Sequence, residues 1–269
     1  MSRAATIGRS FAPAKSFFEQ VGEMMILTSK TLVSAVKPPY PYGEEFIGQF
    51  LFALQLCWFP LLISTVAFGF GAPGLQAANV FTLFGTLDRL GGFFVLASIR
   101  EFAPFVTAVV VAGVAGTAIT ADLGARKIRE ELDALQVLGV DPVENLVVPR
   151  FLALMLVTGM FDVFAVLFGI FGGLVANGVN QQPVGPFFAN LLTNASIPDL
   201  WGSVIKCTLF GAIISIVCCY KGMTASGGAA GVGRAVNQAV VIAFLGVFSF
   251  NYVFTQTLLA TNPELQAIR

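Results

Sequence analysis

The apolar positions of this chain fall into five long runs, roughly at residues 46–70, 102–121, 143–176, 200–220 and 236–260. A helix crosses the hydrocarbon layer of a bilayer with about 20 mostly apolar residues, so each run predicts one crossing. The third is long enough to tilt or bend. An odd number of crossings puts the two termini on opposite faces of the membrane. Ahead of the first run, SFFEQVGEMMILTSKTLVSAV sets Phe17, Val21, Met24, Thr28 and Leu32 on one helical face. That spacing suits a helix lying in the membrane interface, with a soluble cytoplasmic helix as the alternative. KPPYPY then ends it, because consecutive prolines cannot continue a helix. The pattern predicts an all-α integral membrane protein: an amphipathic segment over 1–45, then a five-span domain over 46–269.

Composition supports a lipid environment. Charged residues are 11% and hydrophobic residues 56% of the 269, against about 25% charged in a soluble domain. The formal net charge is zero, which gives no reason to expect nucleic acid. There is no histidine, the commonest general base and metal ligand. Cys57, Cys207, Cys218 and Cys219 all sit in apolar runs and read as free thiols packed as small hydrophobes. No catalytic group and no metal site are predicted. The N-terminus has no compact apolar stretch followed by a small-residue cleavage site, so no removable signal peptide is expected.

Lys and Arg concentrate on one side of the predicted topology. Arg3, Arg9, Lys15, Lys30, Lys37, Arg126, Lys127, Arg129, Arg150, Lys221 and Arg234 share that side, while Arg89, Arg100 and Arg269 lie near the other. The positive-inside rule makes the first side cytoplasmic, with the N-terminus inside and the C-terminus outside. Small residues recur at every fourth position, at Ala108, Ala112, Gly116, Thr120 and Gly124 in the second run, and at Gly169, Gly173 and Asn177 in the third. Such stripes let helix backbones approach closely in lipid, within one bundle or between subunits.

The most charged stretch lies between the second and third runs, in ARKIREELDALQVLGVDP. A helix over about 123–140 puts Ile128, Leu132, Leu135 and Leu138 on one face, with Arg126, Arg129, Glu130 and Asp133 opposite. Gly139 fits the left-handed position after a helix end. Asp141 fits the N-cap of the next helix, Pro142 its first position and Glu144 a capping box. Arg126–Glu130, Lys127–Glu131 and Arg129–Asp133 are spaced for i,i+4 pairs, but with the base N-terminal, the weaker order. Self-stabilisation therefore explains the charges poorly. A protein partner that reads them explains them better than an ordinary solvated loop helix does.

The stretch REFAPFVTAVVVAGVAGTAITADLGARKIREELDALQVLGVDPVENLVVPR, residues 100–150, resembles the signature region of the MlaE/YrbE permease family. Matching positions include Arg100, Glu101, Pro104, Thr107, Gly124, Glu131, Asp133, Ala134, Leu135, Gly139, Asp141, Pro142, Pro149 and Arg150. CYKGMTASGGAAGVGRAVNQAVV is similar to the family's last cytoplasmic turn. Within the family the chain resembles an A-type YrbE subunit of an actinobacterial Mce (mammalian cell entry) system. One departure is that Ala112-Gly113-Val114-Ala115-Gly116 stands where many members have AGRVG, so no role of that arginine carries over.

The resemblance implies a non-catalytic permease subunit of an ABC-type lipid transporter in the plasma (inner) membrane. It would pair with a second, B-type YrbE permease around an apolar path for a fatty acid, sterol or phospholipid. A cytoplasmic ABC ATPase dimer carrying ATP and Mg would dock at the charged helix, through Arg126, Arg129, Glu130, Glu131, Asp133, Leu135, Gly139, Asp141 and Pro142. Extracytoplasmic Mce tunnel proteins would stand above, and import is the usual direction. The chain itself would bind no cofactor: GAAGVGRA, near a phosphate-binding loop in outline, has Arg234 and Ala235 where that loop needs Lys and Ser/Thr. A secondary transporter and a non-transporting scaffold for Mce proteins are the competing readings. Asp162 and Lys206 lie deepest in the spans and are placed to pair with each other, with separate snorkelling the alternative. Arg100 and Glu101 are expected to anchor the outer end of the second span.

Overall fold

A computed structural model describes residues 3–38 and 42–263, with side chains from residue 18 onward. The side chains of Arg3, Arg9, Lys15 and Phe17, the centre of KPPYPY and the C-terminal Arg269 lie outside the described residues. The described residues form α1 (Arg3–Val36), α2 (Gly43–Leu83), α3 (Leu87–Ile128), α4 (Glu131–Val137), α5 (Val143–Val179), α6 (Val184–Asn194), α7 (Ile197–Met223) and α8 (Gly228–Thr261). Five of them, α2, α3, α5, α7 and α8, are long and apolar enough to cross a membrane. The protein is an all-α integral membrane protein.

The first two spans run well past their apolar cores. α3 has 42 residues, about 63 Å at 1.5 Å per residue, twice the hydrocarbon thickness. A wide π-type turn at Phe70–Gln76 carries α2 past Pro73 and Gly74, and a second at Val95–Phe102 follows the α-helical turn that holds Gly91 and Gly92 in α3. Such a turn absorbs the ring clash and missing donor that a proline brings. The ends of α2 and α3 fold with α6 into a cap on the side away from the charged elbow. Phe94 packs edge-on against Phe187 at 5.4 Å and Phe81 against Phe93 at 5.7 Å. Arg100 and Glu101 therefore sit within α3 rather than at its outer end.

The outer helices of the bundle meet it along narrow stripes. In α2 the buried residues are Ala53, Cys57, Leu61, Thr65 and Gly69, and in α8 they are Gly231, Ala235, Ala239, Ala243 and Val247. Every fourth residue is small or slender, which suits close helix packing. Phe52, Phe59 and Ile63 of α2, and Leu245, Phe248 and Tyr252 of α8, face outward. A water-soluble chain would not leave so many large apolar groups exposed, whereas lipid solvates them without cost. α5 and α7 form the centre, through Leu154, Phe161, Ala165, Cys207, Phe210, Ile214 and Cys218. All four cysteines are buried and free.

The Ala108, Ala112, Gly116 and Thr120 stripe lies inside the bundle. All four are buried, and the Thr120 hydroxyl donates to the carbonyls of Gly116 at 2.9 Å and Cys218 at 3.2 Å, which joins α3 to α7. In α5, Gly169 lies against Ser98 and Gly69, and Gly173 against Phe94, while the Asn177 amide donates to the carbonyls of Gln182 and Pro183. α1 leans on α5 and α7 with Met24, Leu27 and the fully buried Thr31, while Phe18, Val21, Met25, Leu32 and Val36 form an exposed apolar stripe. The face expected from the sequence is thus split. Met24 turns inward, and Val21 and Leu32 stay on the outer side, where an interfacial helix meets lipid.

Backbone approach between α2 and α5 sets one test. A Cβ at Gly69 would collide with the Gly169 carbonyl, whereas Gly48 has open space around it. Gly69→Val should lower the thermal stability of the detergent-solubilised protein by about 1–3 kcal/mol, the usual cost of overpacking. Gly48→Ala should leave it equal or slightly higher.

Candidate functional site at the charged elbow

The segment between α3 and α5 differs from the single helix expected over 123–140. α3 ends at Ile128, Arg129 leaves the helical region, and Glu130 takes φ 62°, a left-handed conformation that few non-glycine residues adopt. α4 then starts afresh at Glu131. The break redirects every charge. Arg126 turns back to Asp122 at 3.2 Å, with the acid N-terminal, the stronger order for an i,i+4 pair. Lys127 reaches across the break to Asp133 at 2.9 Å, and Arg129 pairs with Glu131 at 2.6 Å. The expected Arg126–Glu130, Lys127–Glu131 and Arg129–Asp133 pairs do not form, because the left-handed Glu130 takes the two helical segments out of a common register.

The far side of the elbow is built locally. Gly139 has φ 78°, its N–H bonds the Gln136 carbonyl at 3.0 Å, and the Val140 N–H bonds the Leu135 carbonyl at 2.9 Å. Those two bonds are a Schellman close. The Asp141 carboxylate accepts from the Val143 N–H at 2.8 Å, with Pro142 as first helical residue. Glu144 does not close the capping box. Its carboxylate accepts from the Ser34 hydroxyl at 3.5 Å and ties α1 to the start of α5.

Of the apolar face expected in this segment, only part is used inside. Leu132 is buried and Leu135 packs partly against the core. Ile128 and Leu138 point outward, and Val137 joins them, with Val137 88% and Leu138 76% exposed. An apolar tip flanked by the Lys127–Asp133 and Arg129–Glu131 pairs thus projects beyond the spans.

Under the elbow sits a residue that the sequence reading did not single out as a centre. Arg150, at the start of α5, is only 1% exposed. Its guanidinium donates to Asp122 of α3 at 2.8 Å and to the Leu146 carbonyl at 2.8 Å, and lies 3.5 Å from Glu45 of α2. Arg150 Nε is buried without a partner. One fork therefore joins the ends of three spans and, through Asp122, reaches Arg126. The i,i+4 spacing of Asp122 and Arg126 was the available sequence signal. Only the fold brings Glu45 and Arg150 to them.

A second polar cluster lies within the bundle. Arg100 pairs with Asp199 at 2.6 Å, and Asp199 also closes a capping box with Ser196 at the start of α7. Lys206 bonds the Arg100 carbonyl and the Thr255 hydroxyl and lies 3.7 Å from Glu101. Glu101 in turn accepts from Asn251 at 2.8 Å and Thr255 at 2.9 Å. The expected Asp162–Lys206 pair is replaced by Glu101–Lys206. Asp162 is buried with both carboxylate oxygens unbonded. Its neighbour Ser203 donates instead to the Ile99 carbonyl at 2.9 Å, and Cys207 to that of Pro104 at 3.7 Å.

The burial asymmetry at Arg150 yields an ordered prediction. The arginine is buried while Asp122 and Glu45 are 43% and 40% exposed in their side chains. Removing an acid strands a buried cation, whereas removing the arginine leaves two carboxylates that water can reach. Asp122→Ala should cost about 3 kcal/mol and Arg150→Met about 1 kcal/mol, read as thermal or denaturant unfolding in detergent. The reverse order would remove Arg150 from its assigned role.

The family model described as Permease MlaE matches residues 46–257. A probable ABC transporter permease of Rickettsia typhi is 30% identical over 90% of this chain and 93% of its own length. One from Synechocystis sp. is 37% identical over 66% of this chain and 68% of its own. The chloroplastic protein TRIGALACTOSYLDIACYLGLYCEROL 1 of Arabidopsis thaliana is 34% identical over 67% of this chain and 52% of its own. The chain belongs to the MlaE permease family of ABC transporters.

Proposed function

We propose that the chain is a permease subunit of an ABC-type Mce lipid transport complex. It pairs with a second, B-type permease to form an apolar path for a fatty acid, sterol or phospholipid across the plasma membrane, in the import direction. A separate cytoplasmic ATPase dimer, carrying ATP and Mg, supplies the work, and Mce tunnel proteins continue the path outside. The N-terminus and elbow then lie in the cytoplasm, and the C-terminus outside.

The observation that carries this reading is the elbow tip. Val137 and Leu138 stand almost fully exposed beyond the spans, beside charges already paired within the segment. Apolar groups held out among charges in that position are suited to anchor a partner protein. Arg150 links the tip's base to three spans, so displacement of the tip reaches the bundle as a rigid-body load. For the lipid, the support is an open apolar groove of about 540 Å³ between α2 and α5, lined by Leu54, Trp58, Met160, Phe161 and Phe164. The plant relative carries a galactolipid in its name.

Two double variants test the docking surface without touching the core. Val137→Asp with Leu138→Asp should reduce ATPase co-purification at least about tenfold, the scale of losing a buried interface anchor, with an unchanged unfolding midpoint. Reversal of Glu131 and Asp133 to Lys should do the same. Retained ATPase in both variants contradicts docking at this elbow. Lipid movement that persists without ATP but collapses with an ionophore would favour a secondary transporter, the reading for which the unbonded Asp162 speaks.

A further inference from the structure

At the end of the bundle that carries the elbow, α1, α7 and α8 line an open polar cavity of about 300 Å³. Its walls include Gln20, Tyr220, Lys221, Ser226, Arg234 and Gln238, and no carboxylate among the described residues lines it. Lys221 is 7% exposed. Its ammonium donates to two neutral amide oxygens, Gln20 at 2.6 Å and Gln238 at 3.2 Å, and lies 5.7 Å from the Tyr220 ring centre. Glu23 of α1 does not reach Lys221 and accepts instead from the Tyr220 hydroxyl. Arg234 stands across the cavity, close to the turn at Gly227 and Gly231, and makes no ion pair among the described residues.

A buried ammonium with no counter-charge is costly, because dipoles alone offset only part of the lost hydration. A second cation facing the same space adds repulsion. Both costs disappear if the cavity takes an anion. The donors left for a ligand are an ammonium proton, a guanidinium fork and the Ser226 hydroxyl, a set that grips the oxygens of a phosphate group. The same turn carries GAAGVGRA, which lacks the lysine and hydroxyl of a nucleotide loop. A phosphate group bound here need not belong to a nucleotide. The exposed apolar stripe of α1, with Phe18, Val21 and Met25, runs beside Gln20 and offers acyl chains a surface.

We propose that the Lys221–Arg234 cavity is a binding site for a phosphate group, that of an anionic phospholipid headgroup or free phosphate, which clamps α1 to α7 and α8. The site lies outside the α2–α5 groove assigned to transported lipid, so it stands whether or not that assignment holds.

The test uses the full chain, co-purified with its membrane partners, in nanodiscs of phosphatidylcholine alone or mixed with phosphatidylglycerol. Lipid retained after mild delipidation is read by native mass spectrometry. In a parallel arm the delipidated protein is titrated with inorganic phosphate and its unfolding followed. Wild type should retain phosphatidylglycerol over phosphatidylcholine, or gain stability with phosphate, and Arg234→Gln should weaken whichever is seen about tenfold, the scale of one charge-assisted contact. Lys221→Gln should weaken it further and Lys221→Arg less. Arg234 is exposed, so its variant folds and suffices for the test if the Lys221 variants do not. Retention of phosphatidylglycerol identifies the headgroup as the source, and stabilisation by phosphate alone identifies the free anion. Equal retention and equal stabilisation in wild type and Arg234→Gln, or no preference for either anion, overturns the proposal.

Discussion

A single guanidinium fixes how the spans end. Arg150 is buried where α2, α3 and α5 converge, and a cation there is tolerated only with anionic partners within reach. Asp122 and Glu45 meet that demand from two other helices, and the Leu146 carbonyl adds a third acceptor. Their convergence sets where α3 stops and where the chain must turn back. The left-handed Glu130 and the Gly139 close follow as the two corners of that turn. α4 is left between them, with Leu132 inward and the Val137–Leu138 tip outward.

Lipid as solvent accounts for the rest of the architecture. Association of helices in a bilayer gains little from hiding apolar surface, so close packing and polar contacts decide it. Slender stripes on α2 and α8, the Gly69–Gly169 approach and the Thr120–Cys218 bond supply the first. The Arg100–Asp199 and Glu101–Lys206 pairs supply the second, each satisfied by neighbours on other helices. The uncompensated groups stand out against this background. Asp162 makes no hydrogen bond, and Lys221 and Arg234 make no ion pair among the described residues.

Local signals in the sequence carried over well. Five apolar runs gave five spans, and Gly139, Asp141 and Pro142 form the close and cap that their residue types demand. Three features were hidden, each for a physical reason. The break at Arg129–Glu130 uses a glutamate in a left-handed conformation, and no glycine or proline announces it. The cap over 70–94 lies outside the apolar runs and carries Pro73, Gly91 and Gly92, yet a wide turn at Pro73 and the packing of Phe94 on Phe187 override propensity. The partner of Lys206 depends on the rotational phase of three helices, which an almost uniformly apolar span does not encode.

The proposed function requires the elbow tip to be held by Arg150 and read by an ATPase. A photo-crosslinking residue at Val137, in the membrane-embedded complex, tests both halves at once. Crosslinks to the ATPase subunit in the wild-type background, sharply reduced when Asp122→Ala releases Arg150, are the predicted result. Crosslinks to lipid or a second permease alone, or ATPase crosslinks undiminished by Asp122→Ala, would contradict it.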